Sequence, residues 1–263
     1  MANYSDEFSG KTLFVSGGTR GIGKAMVYAF ASNGANVAFT YNSNDVIANE
    51  IIADVEEKYS VKVRAYALNI LEPNEYKEVF KKFDEDFDCI NFFISNAIIT
   101  GRSVVGGFGP YMRLKPKGMT NIYMATVNAF IVGSQEASKR MEANKDGGSI
   151  ISMSSTGNLV YTPNYTGHGT NKAAIETTIK YAAAELGEKG IRVNAVSGGP
   201  IDTDALKAFP NYEEVKAEVV ARSPLSRMGE PEDLTGACMF LCSKASSWLT
   251  GQTIVVDGGT SFQ

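Results

Sequence analysis

A short segment beyond the middle of the chain carries side chains suited to acid–base chemistry. His168 is three positions after Tyr165, and Lys172 is four positions after His168. On a helix with 3.6 residues per turn, these positions share one face. A phenol on that face can donate a hydrogen bond to an oxygen that gains negative charge, and a nearby ammonium group favours the phenol's ionised form. The chemistry that we expect here is stabilisation of a developing oxyanion.

Three residues of this segment have more than one possible role. Ser155, ten residues before Tyr165, can orient a substrate or simply cap the end of a strand. Tyr161 is an alternative phenol nearby. His168 is either a polar residue that lines the cleft or, because free histidine titrates near neutral pH, a direct proton donor.

A glycine-rich turn follows the first short apolar run and predicts a dinucleotide site. The turn reads SGGTRGIG from residue 16 to residue 23 and leads directly into a helical pattern. Glycines let the backbone approach a pyrophosphate closely, and the helix N-terminus adds N–H groups and the positive end of the helix dipole. We expect the cofactor to contact Gly17, Thr19, Arg20, Gly21, Ile22 and Gly23.

The identity of the cofactor depends on the end of the second predicted strand. An acidic side chain there would bind the ribose 2′-hydroxyl of NAD and repel the 2′-phosphate of NADP. This chain has the neutral residues Tyr-Asn-Ser-Asn at positions 41–44. Arg20 can pair with a 2′-phosphate, or it can be a solvated surface charge. The sequence favours NADPH over NADH.

The elements that must position these residues follow a βαβ pattern. Short apolar runs alternate with helical patterns, which predicts an α/β fold: a doubly wound, mostly parallel Rossmann-type sheet with helices on both faces, as one domain over residues 1–263. Seven strands are predicted, over residues 12–15, 36–41, 61–68, 90–95, 149–153, 191–196 and 252–256. Helices are predicted over residues 23–33, 46–59, 74–86, 121–143, 162–187, 204–222 and 231–241, with an irregular loop over 97–119 and a substrate-binding lid near 202–226.

Composition argues against several other classes of protein. A net charge of −4 gives no basic field for nucleic acid, and no apolar run approaches the ~20 residues that span a bilayer. One histidine and three cysteines without metal-binding spacing argue against zinc, so no metal is expected. The polar, acidic start predicts no secretory signal. We expect a soluble cytoplasmic globule.

Short motifs in a fixed order resemble the short-chain dehydrogenase/reductase family over nearly the whole chain. Besides the glycine turn, these motifs are SNA at 95–97, VNA at 127–129, RVNAV at 192–196 and VDGG at 256–259. The family usually carries Tyr-x3-Lys. Here His168 stands four residues before Lys172, and the nearest upstream tyrosine, Tyr165, gives Tyr-x6-Lys. That spacing is similar to the enoyl-acyl-carrier-protein reductases.

One subgroup of those reductases resembles the chain more closely. Residues 197–207 (SGGPIDTDALK) and 209–211 (FPN) look like the NADPH-dependent third type of bacterial enoyl reductase. Ser155 matches the serine that this type has ten residues before its tyrosine, where the first type has a second tyrosine. The resemblance implies reduction of 2-enoyl thioesters in fatty-acid elongation, and a homotetramer.

The resemblance also implies roles for individual residues. Tyr165 would hydrogen-bond the thioester oxygen, Lys172 would bind the nicotinamide ribose, and Asn128 would bend its helix to hold a water chain. Further cofactor contacts are implied for Asn69, Ile70, Asn96 and Ala97, with Ile201 and Thr203 at the carboxamide. The chain departs from the family pattern at Asn69, which replaces an aspartate, at the 197–199 turn and at Ile98, which replaces a glycine.

The position of Tyr165 has a chemical interpretation. In carbonyl reduction, hydride goes to the carbon that bears the oxygen. In reduction of an α,β-unsaturated thioester, hydride goes to the β-carbon, and charge develops on a carbonyl oxygen farther from the hydride donor. A phenol displaced outward by about one helical turn suits that more remote oxyanion.

Two other functions stay open at this point: a short-chain dehydrogenase acting on an alcohol, sugar or steroid carbonyl, and a nucleotide sensor that binds NADPH without turnover. An enoyl reductase would take an acyl carrier protein or a coenzyme A thioester as partner. Because the carrier is acidic, a basic rim is expected at the site. Its candidates, which can equally belong to a solvated loop, are Arg102, Arg113, Lys115, Lys117 and Lys207.

Overall fold

Seven parallel strands form one sheet at the centre of the protein. The computed structural model describes residues 4–99, 104–207 and 212–262. Its strands are β1 (Thr12–Val15), β2 (Asn36–Tyr41), β3 (Val63–Ala67), β4 (Phe92–Ser95), β5 (Gly148–Ser155), β6 (Ile191–Gly198) and β7 (Thr253–Val256). They lie in the order β3-β2-β1-β4-β5-β6-β7, and each neighbouring pair is parallel. The predicted α/β sheet is confirmed.

Helices connect the strands and cover both faces of the sheet. They are α1 (Ser5–Phe8), α2 (Gly21–Ala31), α3 (Asp45–Tyr59), α4 (Glu75–Asp86), α5 (Pro116–Tyr123), α6 (Ala129–Met141), α7 (Thr166–Leu186), α8 (Asp204–Lys207), α9 (Tyr212–Arg222) and α10 (Pro231–Cys242). None of those in the described part of the chain has the length and apolar character that a membrane span needs.

Two apolar layers hold the helices against the sheet. Successive residues of a strand point to opposite faces, so Phe14 packs in one layer while Leu13 and Val15 pack in the other. The first layer contains Phe80, Phe130 and Ile179 from α4, α6 and α7, and the second contains Phe30, Ile51 and Leu234 from α2, α3 and α10. Burial on both faces explains why these strands read as continuous apolar runs.

The direction of strand addition reverses between β1 and β4, which pair with each other. In open parallel sheets, the crevice at such a reversal, outside the carboxyl ends of the strands, is where ligands bind. The glycine turn follows β1, Asn96 follows β4, and Ser155 is the last residue of β5. The fold therefore collects the predicted site residues at one edge of the sheet.

The predicted start of the helix that carries Lys172 was wrong. We predicted that it starts at residue 162, because threonine and proline at 162 and 163 are a favourable cap and first helical residue, but α7 begins at Thr166 with Tyr165 as its N-cap residue. Asn164 has a left-handed backbone with a φ of 65°, which interrupts helical geometry before Tyr165. The phenol is therefore carried by the N-cap residue, just before the first turn of α7, and not by a residue within the helix.

The helix predicted over 121–143 was also misplaced. Pro116 begins α5 in the first-turn position that proline favours, so the irregular loop ends earlier than expected. The backbone is π-helical over Met124–Asn128 before α6 continues to Met141. The predicted lid is divided into α8 and α9, and residues 208–211 between them lie outside the described residues.

Candidate active site

In the glycine turn, neighbouring backbone segments pack too closely to leave room for side chains. Gly17 has a φ of 76°, and a Cβ atom on it would lie 3.1 Å from the Cα of Ala97. A Cβ atom on Gly23 would lie 1.8 Å from the carbonyl oxygen of Gly17. Both positions therefore require glycine, which leaves an open backbone cradle at the start of α2.

The start of α2 suits a pyrophosphate. Arg20 is its N-cap residue, with extended backbone and no capping hydrogen bond from its side chain. First-turn N–H groups and the helix dipole are therefore directed at the crevice. Thr19 lies just before this turn and Ile22 lies in it. A Cβ atom placed on Gly21 would lie 3.6 Å from the methyl group of Thr203. These residues fit a dinucleotide.

Asn96 fixes the glycine turn through its own side chain. Its amide Nδ2 donates hydrogen bonds to the carbonyl oxygens of Ser16 (3.0 Å) and Gly17 (3.1 Å). The hydroxyl oxygen of Ser16 accepts the backbone N–H groups of Asn96 and Ala97 at 3.0 and 3.1 Å. Asn96 thus shapes the cradle, in addition to the cofactor contact that the resemblance implies for it.

Two hydroxyl side chains that support the turn were missed from the sequence. One is Ser16, and the other is Thr40, whose Oγ1 accepts the N–H of Gly17 at 3.1 Å. The signal was present, because both are polar residues at the carboxyl ends of otherwise apolar strands.

The aromatic ring of Tyr165 is packed by three residues. Its ring stacks on His168 with centroids 5.2 Å apart and planes at 28°. Phe108 meets it edge-on at 6.4 Å, and a Cβ on Gly157 would lie 2.5 Å from the ring. Burial raises the pKa of the phenol, while a hydrogen bond with Ser155 opposes that shift. Tyr165 is consequently a protonated hydrogen-bond donor at neutral pH.

Lys172 is buried beside the end of β5. Only 5% of it is exposed, and its Nζ donates a hydrogen bond to the carbonyl oxygen of Met153 at 2.6 Å. Burial lowers the pKa of Lys172 to about 8, and the negative charge of Glu176 opposes the shift. The carboxylate of Glu176 in turn accepts a hydrogen bond from the Ser154 hydroxyl at 2.6 Å.

Sequence reasoning missed Glu176 and Ser154. Glu176 stands four residues after Lys172 on the same helix, a spacing that brings side chains together. It could therefore have been found from the sequence. Its partner Ser154 lies on a different element and could not.

His168 is buried between Tyr165 and Lys172, with 7% of it exposed. Burial, together with the charge of Lys172, lowers its pKa to about 4. The imidazole is therefore neutral at pH 7, which disfavours the alternative in which an imidazolium at this position acts as general acid near neutrality.

The chain matches known proteins over most of its length. A family model described as enoyl-(acyl carrier protein) reductase matches residues 17–261. A 1-cyclohexenylcarbonyl-CoA reductase of Streptomyces collinus is 32% identical over 94% of this chain and 86% of its own length. The solved structure of a short-chain type dehydrogenase/reductase from Mycobacterium ulcerans superposes with a TM-score of 0.88 at 26% identity, covering 97% of this chain and 91% of that one.

The chain belongs to the short-chain dehydrogenase/reductase family. It is therefore an oxidoreductase of a family that uses NAD(P)H. Other relatives include a sorbose reductase of Candida albicans, 35% identical over 98% of this chain and 90% of its own length. A 3-oxoacyl-[acyl-carrier-protein] reductase of Staphylococcus aureus is 30% identical over 95% of this chain and 97% of its own length.

The remaining predicted contacts of this short-chain dehydrogenase/reductase differ in how well they fit a ligand. Asn128 is half-buried at the end of the π-helical segment, which packs on α7. Ile201 is half-buried just after β6. The Asn69 side-chain oxygen accepts the N–H of Leu71 at 3.1 Å, and the Ile70 side chain packs in the core. A cofactor contact at Ile70 would therefore fall to its backbone.

Of the five candidates for a basic rim, three are exposed cations close together in the chain. Arg113, Lys115 and Lys117 are exposed around the start of α5, and Arg102 lies outside the described residues. Lys207 forms an ion pair with Asp202 at 3.3 Å, which offsets its charge. The sequence contains no Asp or Glu from residue 89 to residue 135. In the described ranges, the acidic, histidine and cysteine side chains form no group of three or more that could hold a metal ion.

Proposed function

We propose that this short-chain dehydrogenase/reductase is an NADPH-dependent enoyl-thioester reductase of the third bacterial enoyl-acyl-carrier-protein reductase type. The observation that supports this most strongly is the placement of the half-buried phenol of Tyr165. Tyr165 stands at the entrance of α7, where Ser155 counters the effect of burial on its pKa, while a neutral histidine occupies the position four residues before Lys172.

This placement suits charge that develops far from the carbon receiving hydride. The bound dinucleotide would supply that hydride. The phenol of Tyr165 donates a hydrogen bond to the thioester oxygen, and this bond strengthens as the oxygen becomes an enolate. The ammonium group of Lys172 favours negative charge nearby and, as a donor, can hold ribose hydroxyls. Ser155 keeps the phenol oriented.

Two comparisons support a reaction at a carbon–carbon double bond. The matching family model is described as an enoyl reductase, and 1-cyclohexenylcarbonyl-CoA, named for the Streptomyces relative, is an α,β-unsaturated thioester. The sorbose and 3-oxoacyl relatives favour a second candidate, the reduction of a carbonyl group.

The residues after β2 and Arg20 of the glycine turn favour NADPH as the cofactor. The residues after β2 are neutral: Asn42 and Ser43 are exposed, and Asn44 caps α3 through its side chain. No carboxylate stands at this point to repel a 2′-phosphate. Arg20 at the N-cap of α2 brings a guanidinium to the same turn, where it can pair with that phosphate.

An acyl carrier protein is the partner that the rim fits. The exposed cations Arg113, Lys115 and Lys117 sit in a stretch of chain without acidic residues, and an acidic carrier would be attracted to them. Lys115→Glu should raise KM for a carrier-bound enoyl thioester and leave KM for the coenzyme A thioester unchanged. Lys82→Glu, an exposed lysine on α4, is the matched control. Equal KM values for all three proteins would contradict this assignment.

The function is tested by following NADPH oxidation with a panel of substrates. Crotonyl thioesters and longer 2-enoyl thioesters should be reduced. A 3-oxoacyl thioester, sorbose and a steroid ketone should react far more slowly. Reduction of the carbonyl panel alone would establish the second candidate, and binding of NADPH without any turnover would indicate a nucleotide sensor.

A further inference from the structure

Three aromatic rings form a cluster at the entrance of α7. Tyr165 and His168 stack, and Phe108 lies edge-on to both, at 6.4 Å from the tyrosine ring and 6.1 Å from the imidazole. Stacked and edge-to-face pairs at such distances are attractive and restrict ring rotation. The phenol ring of Tyr165 is therefore packed by both other rings of the cluster.

The imidazole is well suited to be the inner ring of this cluster. His168 is on the first turn of α7 and Lys172 is on the next, so a cationic ring there would face an ammonium group. Among the described residues, Lys172 is the charged group that acts on His168, and Tyr165 is the other titratable group against it. A neutral ring stacks without adding charge repulsion.

We propose that His168 is a positioning residue that holds the phenol of Tyr165 outward and keeps a strong proton donor out of the position four residues before Lys172. This inference rests on the proposed enoyl reduction. A neutral imidazole N–H is a much weaker acid than a phenol. A ketone oxygen at the inner position would therefore find no effective proton donor, and the same site would favour the enoyl reaction.

Three substitutions separate the parts of this role. His168→Phe keeps a flat ring and should retain enoyl reduction within about threefold. His168→Ala removes the stack and should lower kcat roughly threefold to tenfold with a smaller change in KM. His168→Tyr places a phenol at the inner position and should raise the rate with a 3-oxoacyl thioester at least tenfold.

In that gained reaction, the carbonyl carbon would take a hydride, which a bound reduced dinucleotide would supply. The carbonyl π electrons move to oxygen, which takes the phenolic proton of the new tyrosine. The ketone becomes an alcohol and the dinucleotide is oxidised.

A readout without turnover is available because His168 is the single histidine of the chain. Its imidazole proton NMR signals should be displaced by the ring current of Tyr165, and Tyr165→Ala should remove that displacement. The same signals should show no titration between pH 6 and 8. Titration in that range, or signals unaffected by Tyr165→Ala, would overturn the inference.

The activity outcomes distinguish this inference from the proposed function. If wild type reduces enoyl thioesters but folded, NADPH-binding His168→Tyr gains no 3-oxoacyl activity, the inference fails and the function stands. If wild type reduces no enoyl thioester while His168→Tyr gains ketone reduction, the function fails, and of the inference only the exclusion of a proton donor from the inner position stands. A more than hundredfold loss of kcat in folded His168→Phe would show that the imidazole nitrogens take part chemically, and would overturn the positioning role.

Discussion

Tyr165, His168 and Lys172 lie on one short segment, and burial acts differently on each. It raises the pKa of the phenol, lowers that of the imidazole to about 4, and lowers that of the ammonium group to about 8. Near neutral pH the segment thus offers one hydrogen-bond donor phenol, one neutral ring and one cation. These are the protonation states that stabilisation of an enolate requires.

The charge state of Lys172 limits the activity at high pH. Because its pKa is about 8, the ammonium form is present below that value and is lost as pH rises through it. We expect kcat/KM to fall above about pH 8. Glu176→Gln removes a negative charge that raises this pKa, so the fall should move to lower pH. Glu185→Gln, an exposed position on α7, is the control. Coincident pH profiles for the two variants would contradict this role for Glu176.

His168 should affect stability at acid pH. The folded protein holds its pKa at about 4, below the ordinary 6.5, so the unfolded chain binds more protons between these values. The unfolding free energy should therefore fall as pH decreases from 6.5 to 4, by about 3 kcal/mol from this group. Urea unfolding of His168→Phe should show a correspondingly smaller loss. The same loss in both proteins would mean that the histidine protonates freely in the folded state.

Residue types and spacings predicted part of this site. They identified Tyr165, Lys172 and Ser155, which the structure brings together. The edge-on contact of Phe108 with the two rings could not be predicted, because it joins a loop of irregular sequence to α7. Neither could the neutrality of His168, since it depends on burial and on the neighbouring ammonium group.

At the scale of elements, periodicity located all seven strands but misplaced two helix starts. The start of α5 at Pro116 had a readable signal, because proline favours the first helical turn. The start of α7 did not. Thr162 and Pro163 are good starting residues, and the left-handed backbone of Asn164 overrides them. Asparagine adopts the left-handed region more readily than most residues, but residue type alone does not show that Asn164 does so here.

The close packing of the turn between β1 and α2 predicts the effect of a substitution at Gly23. Gly23→Ala should destabilise the protein by about 1–3 kcal/mol and weaken NADPH binding, because the added Cβ would lie 1.8 Å from the Gly17 oxygen. Gly236→Ala, at an exposed position of α10 with open space around it, should stabilise by about 0.5–1 kcal/mol. Chemical unfolding and NADPH titration measure both effects. A Gly23→Ala protein with wild-type binding would contradict the close packing.

At the scale of the whole molecule, β7 is an edge strand of the sheet. Edge strands present unpaired backbone groups, and large apolar side chains such as Val255, Trp248 and Phe262 are exposed. We propose that copies of the chain cover part of this surface in a homotetramer. The resemblance implied this assembly, while sequence periodicity within one chain carries no information about it.

Light scattering after size exclusion tests the assembly. The mass should be four times the 28.3 kDa of one chain. Val255→Lys places a charge on the edge strand and should reduce that mass, because charges on edge strands oppose pairing. Val46→Lys, exposed at the start of α3, should leave it unchanged. A monomeric wild-type protein would contradict the proposal.

The central claim is that the phenol of Tyr165 stabilises charge on the oxygen of an enoyl thioester. It is tested most directly by kcat for crotonyl thioester reduction in Tyr165→Phe, beside Tyr161→Phe, which alters an exposed phenol nearby. We expect kcat to fall by about 10²–10³ in Tyr165→Phe, with NADPH binding retained, and to stay at the wild-type value in Tyr161→Phe. Wild-type turnover in Tyr165→Phe would contradict the account.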